Sequence, residues 1–134
     1  MPDTLDSSGA VVALDPGTKF VGVAVSDRER SMAFPVAVLP AKRETLLAEL
    51  KKVIAERGVT QLIVGRPLAL RGTTIPMTQH AEDFAEWLKA ELKLPLELVD
   101  ERLSTRAAGQ ATKAERVDAV AATLLLDTYL GRTK

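Results

Sequence analysis

Four carboxylates stand at places where an acid needs a reason. Asp15 closes the apolar run Val11–Leu14, directly before Pro16-Gly17. Asp100 and Glu101 follow the run Leu96–Val99. Asp118 falls with Ala121, Ala122, Leu125 and Tyr129 at spacings that share one helix face, a face otherwise small or apolar. An acid at the end of a buried strand is costly unless a hydrogen-bonded turn, a phosphate-binding loop or a metal ion compensates it. Each has a structural reading: Asp15 hydrogen-bonding its own turn, Asp118 pairing with Arg116 or a neighbouring helix, Asp100 or Glu101 standing in water. The combination favours chemistry. Carboxylates converging in a poorly solvated place repel one another, and a divalent cation removes that penalty. A pair of Mg²⁺ ions about 4 Å apart would clamp a phosphodiester, activate water and stabilise the leaving oxygen.

The elements around these acids must bring them together. "DPGT" (15–18) has Pro and Gly where a type II turn places them, so Val11–Leu14 and Phe20–Val25 read as a hairpin. Met32–Pro40 reads as a third strand, with Pro35 marking an edge or a bulge. Arg43–Arg57 has helical spacing at Leu46, Leu47, Leu50, Val53 and Ile54, and Gly58 follows as a C-terminal cap. Leu62–Gly65 fits a strand buried on both faces. Thr74 is placed to cap a helix with Pro76 in its first turn and an apolar stripe of Met77, Ala81, Phe84, Leu88 and Leu92, stopped by Pro95. Leu96–Asp100 is a strand, Thr105–Thr112 a short helix, and Ala114–Leu130 a final helix ended by Gly131. This order predicts a mixed α/β sheet with an antiparallel start and parallel later strands, covered by helices. In such sheets ligands gather at the carboxyl ends of strands, where Asp15, Gly65-Arg66 and Asp100-Glu101 all fall.

Composition narrows the chemistry further. The chain has 134 residues, no cysteine and one histidine. A single domain over residues 10–131 is expected, with tails at 1–9 and 132–134. Thiolate and imidazole-rich metal sites are excluded, leaving oxygen-bound Mg²⁺, Mn²⁺ or Ca²⁺. Cysteine-free composition suits the cytoplasm, and neither a signal peptide nor a membrane span is expected. With 18 Lys and Arg against 18 Asp and Glu the net charge is zero. That excludes a globally basic nucleic-acid binder but not a local basic rim.

The segments "ALDPGTKFVGVAVSD", "IVGRPLALRGT", "DERLST" and "RVDAVAATLLLDTYL" occur in this order. On these motifs, spread over nearly all of residues 10–130, the chain resembles the YqgF (RuvX) family. These are Holliday-junction-resolvase-like proteins, also described as nucleases maturing precursor 16S ribosomal RNA. The resemblance implies a ribonuclease-H-like fold with a five-stranded mixed sheet. It implies two Mg²⁺ or Mn²⁺ ions at Asp15, Glu101 and Asp118, with Asp15 bridging. Strand alternation puts Asp100 and Glu101 on opposite faces without saying which face looks at the ions, so Asp100 is the runner-up. The chain departs from the family pattern at Phe20, Ala69 and Arg71, and its 107–116 segment is short.

The expected reaction is metal-dependent hydrolysis of structured DNA or precursor rRNA. Candidate phosphate contacts are Lys19, Arg66 and Arg102, then Arg71, Arg106, Lys113 and Arg116; Ser104 and Thr105 either bind phosphate or cap a helix. His80 reads as a structural surface residue, and Trp87 and Phe84 as helix packing, with a homodimer contact at Trp87 if it is exposed. Two rivals stand beside this. "DPGTKFVGVAVSD" also resembles the first phosphate loop of actin-like ATPases and sugar kinases, where Asp15 would orient Mg²⁺; those enclose nucleotide with a second similar domain, for which this length has no room. The other rival is a nucleic-acid-binding protein that does not cut.

Overall fold

Alternating apolar residues build a sheet with two separate cores. The computed structural model describes residues 9–101 and 117–132, and of 117–119 and 132 the backbone only. Strands β1 (Ala10–Pro16), β2 (Phe20–Ser26) and β3 (Ala33–Pro40) form an antiparallel meander. Helix α1 (Arg43–Arg57) leads to β4 (Val59–Arg66), α2 (Pro76–Leu92) leads to β5 (Leu96–Asp100), and α3 (Val117–Arg132) closes the described chain. The five strands lie in the order β3-β2-β1-β4-β5, with β1, β4 and β5 parallel. The helix expected at 105–112 and the tail before Gly9 lie outside the described residues.

Parity along the strands decides which core each side chain joins. Val12, Leu14, Leu62 and Val64 pack with Leu46 and Leu50 of α1 and with Phe84, Ala85 and Leu88 of α2. Val11, Ala13, Ile63 and Val99 pack with Ala122, Leu125, Leu126, Tyr129 and Leu130 of α3. β4 is thus covered on both sides, and Leu62, Ile63 and Val64 are all 0% exposed. This double burial is why β4 reads as a continuous apolar run. No helix among the described residues is long and apolar enough to cross a membrane.

Local signals set most of the boundaries. Gly58 takes a left-handed conformation (φ 67°), its N–H reaching Ile54 O, and so ends α1 where its lack of Cβ is needed. β3 is an edge strand, and the register slips between Val23 and Ala24 opposite Ala37 and Pro35, so Pro35 marks both an edge and a bulge. Trp87 is half-buried beside Phe84 (ring centroids 5.8 Å apart), and the Arg43 guanidinium covers it at 4.8 Å.

Three local expectations need correction. β1 continues through Pro16, which pairs with Val21, and the reversal is made by Gly17–Phe20 through Gly17 N–H to Phe20 O at 2.9 Å. Gly17 does not take positive φ, so the turn is not a type II turn on Asp15. Proline ending a ladder has no further N–H to supply, which lets the strand outrun its turn signal. The cap of α2 is Ile75, not Thr74. Thr78, inside the helix, reaches back: its Oγ1 accepts from Ile75 N–H at 3.0 Å and its hydroxyl donates to Pro67 O. Gly131 does not end α3, which runs to Arg132; an exposed glycine tolerates the helical conformation that buried Leu130 holds in register.

The β2–β3 connection is tied by Asp27. Its Oδ1 accepts from the N–H groups of Ser31 (2.7 Å) and Met32 (3.0 Å), and its Oδ2 from the Ser31 hydroxyl (2.5 Å). These donors, the Ser31 hydroxyl first, hold the Asp27 carboxyl below the usual aspartate range. A depressed folded pKa adds stability above the unfolded value, near about pH 3.9, and that stability is lost as pH falls through the folded pKa. Wild type should therefore exceed Asp27→Asn in thermal midpoint at neutral pH, and the gap should close in acid below about pH 4. In the larger core, Leu50→Ala should cost about 2–5 kcal/mol, read as a lower urea midpoint with an unchanged slope.

Candidate functional site

The parallel register brings three strand ends to one edge. Leu14 pairs with Val64, Gly65 with Val99 and Arg66 with Asp100, so Asp15 and Gly65 fall at neighbouring positions on β1 and β4, and Glu101 follows two residues beyond the Gly65 partner Val99. Helix α3 runs the opposite way to β4. Near the starts of β4 and β5 the Tyr129 hydroxyl accepts from Gln61 Nε2 (2.7 Å) and donates to Glu97 Oε1 (3.2 Å). Burial pushes that phenol's pKa up. One turn back, Leu125 reaches the end of β4, where its Cδ2 is 3.2 Å from the place a Gly65 Cβ would take. The first turn of α3, which carries Asp118, lies further along the helix in that direction. The Asp118 side chain lies outside the described residues.

Face assignment separates the two neighbouring acids. Val99 is buried under α3, whereas Leu96 packs toward α1 and α2. Alternation then gives Glu101 to the α3 face and the exposed Asp100 to the other. Asp15 follows Val11 and Ala13 on the α3 face and is half-buried. The Glu101 N–H donates to Arg66 O at 3.3 Å, extending the ladder one residue beyond β5.

Gly65 makes room for the Glu101 carboxylate. Glu101 Oε2 is buried, and a Cβ on Gly65 would collide with it and stand 3.2 Å from Glu101 Cδ. The other neighbour of Asp15 is also a glycine, Gly22 on β2. Asp15 thus lies in a trough with no side chain on either flanking floor, one half of it taken by Glu101. Two carboxylates here offer oxygen donors, the ligand type that suits hard divalent cations. Among the described residues no three His, Cys, Asp or Glu side chains form a group able to hold an ion, and the Asp118 carboxylate is not among them.

The expected cationic rim is divided. Lys19 is exposed in the β1–β2 turn, where its carbonyl accepts from Ala41 N–H at 2.8 Å. Arg66 is tied to Glu82 of α2, Nε to Oε2 at 2.8 Å, on the side away from α3. Arg71 is exposed in the β4–α2 loop. Arg102, Ser104, Thr105, Arg106, Lys113 and Arg116 lie outside the described residues. His80 is half-buried, with Nε2 3.0 Å from Gly17 O, so α2 holds the turn that follows Asp15. Nothing in the local sequence signals that contact, because it joins residues far apart in the chain.

Comparison with known proteins follows the same line. Residues 9–132 match the model of the RuvX family, described as Holliday junction resolvase. A Chloroflexus aggregans protein named "Putative pre-16S rRNA nuclease" is 37% identical over 130 residues, covering 90% of this chain and 92% of that protein. A Rhodobacter capsulatus protein of the same name is 40% identical over 134 residues, covering 92% and 84%. Among solved structures, Thermus thermophilus RuvC in complex with a Holliday junction substrate superposes with a TM-score of 0.56 at 15% identity, covering 93% of this chain and 96% of that one. The fold is therefore ribonuclease-H-like. Gly65→Ala should keep the sheet, because the tip of a glutamate can swing aside, at a cost of about 1–3 kcal/mol in denaturant unfolding. A crystal structure of that variant should show the Glu101 carboxylate rotated out of the trough.

Proposed function

This chain belongs to the RuvX family of Holliday junction resolvases, and we infer from that membership that it is a nuclease hydrolysing phosphodiester bonds. The observation that supports the mechanism is the glycine-floored trough that holds Asp15 on the same face as Glu101. Asp15, Glu101 and Asp118 would hold two Mg²⁺ or Mn²⁺ ions. Bound there, such ions supply Lewis acidity toward a phosphate and lower the pKa of water.

The chain's own residues then have distinct tasks. Asp15, on a central strand, is the rigid member of the set. Glu101 closes the set from β5 and depends on Gly65 for its place. Lys19, exposed in the turn beyond Asp15, is placed to contact a backbone phosphate. His80 is not the general base, since its Nε2 is engaged with Gly17 O on the far side of that turn. The preferred substrate is precursor 16S rRNA. Relatives bearing that name match most of this chain at 37–40% identity, whereas the likeness to RuvC, at 15%, concerns the fold.

The test is cleavage of labelled precursor 16S RNA ends, single strands and four-way DNA junctions by wild type and Asp15→Asn, with and without EDTA. Wild type should cut the precursor ends in Mg²⁺ or Mn²⁺ and stop in EDTA. Asp15→Asn should be folded and at least roughly 100-fold slower, since even outer-shell changes at metal sites cost 10–100-fold. Equal cutting by the two proteins would remove Asp15 from the mechanism.

A further inference from the structure

Phe20 is 48% exposed although it begins a central strand pair. Alternation along β2 puts Phe20 and Gly22 on the face of Ala24, which packs under α3. That is the face of Asp15 and Glu101. Gly22 is the cross-strand partner of Asp15, so Phe20 is the diagonal neighbour of Asp15, about 7–8 Å away in such geometry. Val38, the partner of Gly22 on β3, lies on the same face and is also exposed. The alternating residues Val21, Val23 and Val25 build the α1/α2 core, so folding does not call for an aromatic at position 20.

The backbone beneath the ring is fixed. Phe20 O accepts from Gly17 N–H at 2.9 Å, Gly17 O faces His80 at 3.0 Å, and Lys19 O accepts from Ala41 N–H at 2.8 Å. A half-open aromatic ring on a rigid support, one residue from an exposed lysine and diagonal to a carboxylate, has the chemistry of a nucleotide subsite. The ring offers a π-face to a base, the lysine a charge to phosphate.

We propose that Phe20 is a base-stacking platform for an unpaired nucleotide next to the phosphate held at Asp15 and Glu101. The proposal rests on the nuclease reading and sharpens its substrate class. A base still stacked in continuous duplex cannot lie on Phe20, so nucleic acid with unpaired nucleotides at the cut is preferred over perfect duplex.

The test uses the full chain and a fluorescein-labelled RNA strand from a precursor 16S end, alone and in perfect duplex. Binding is read by anisotropy and cutting by initial rates. Phe20→Leu keeps apolar bulk but loses the π-face, Phe20→Trp keeps it, and Phe34→Leu alters a comparably exposed ring (40%) at the other end of the sheet. Phe20→Leu should weaken single-strand binding, and lower kcat/KM, about ten-fold, with little change on duplex and an unaltered thermal midpoint. Phe20→Trp should bind at least as tightly as wild type, and Phe34→Leu should match wild type. Unchanged single-strand binding by Phe20→Leu, equal losses on single strand and duplex, or an equal loss in Phe34→Leu would overturn the proposal. If wild type still cuts in any of those cases, the nuclease reading stands without it. A wild type that neither binds nor cuts nucleic acid ends both.

Discussion

The close approach of Glu101 to Gly65 is the constraint on which the site depends. A parallel sheet sets β4 and β5 side by side at a fixed spacing, and any side chain on Gly65 would occupy the volume that the Glu101 carboxylate fills. The glycine's value here is therefore space, not unusual dihedral angles. Leu125 of α3 closes the same volume from above, so strand, helix and carboxylate compete for one place and a single missing Cβ lets all three fit. Packing at interior density makes such a fit sensitive to one methyl group.

The rest of the molecule fixes how that place lies relative to Asp15. The Leu14–Val64 and Val64–Leu98 pairs lock β1, β4 and β5 in register, and a slip of one residue would turn Asp15 or Glu101 to the opposite core. Both cores resist such a slip, because each strand residue in them has its own helix partners. At the far end, the Gln61–Tyr129–Glu97 hydrogen bonds set the height of α3, and the stack of Leu130, Leu126, Leu125 and Ala122 carries the helix back toward the acids. The first turn of α3, which carries Asp118, follows from that stack in the same direction.

Much of this was legible in the sequence because it is local. The bounds of α1 and β5 follow from apolar period, Gly58 and Pro95, and the antiparallel start and parallel continuation of the sheet follow from a meander succeeded by strand–helix–strand units. The misses are interactions between distant segments. Whether Asp100 or Glu101 faces α3 depends on which helix covers Val99, and alternation within five residues cannot say. Arg66 looks like a free rim cation until α2 brings Glu82 to it. Gly65 looks like a strand terminator until Glu101 is seen against it. The cap of α2 was misplaced because Thr78 reaches backward from inside the helix, a geometry that a forward search for Ser, Thr, Asp or Asn overlooks.

Charge balance bears on how such a chain engages a polyanion. With 18 basic and 18 acidic residues there is no long-range surplus of positive charge, and Arg66 spends part of its charge on Glu82. Lysine and arginine contacts to phosphate account for most sequence-independent binding in strongly basic proteins, and they weaken steeply with salt. A neutral chain must draw more of its affinity from short-range terms. On the proposed reading those terms would be ions held by carboxylates, which turn an acidic trough from repelling phosphate to attracting it, and stacking on an aromatic face, which carries no charge at all. The trough of Asp15 and Glu101 and the exposed ring of Phe20 lie on one face of adjacent strands, so one backbone register positions both.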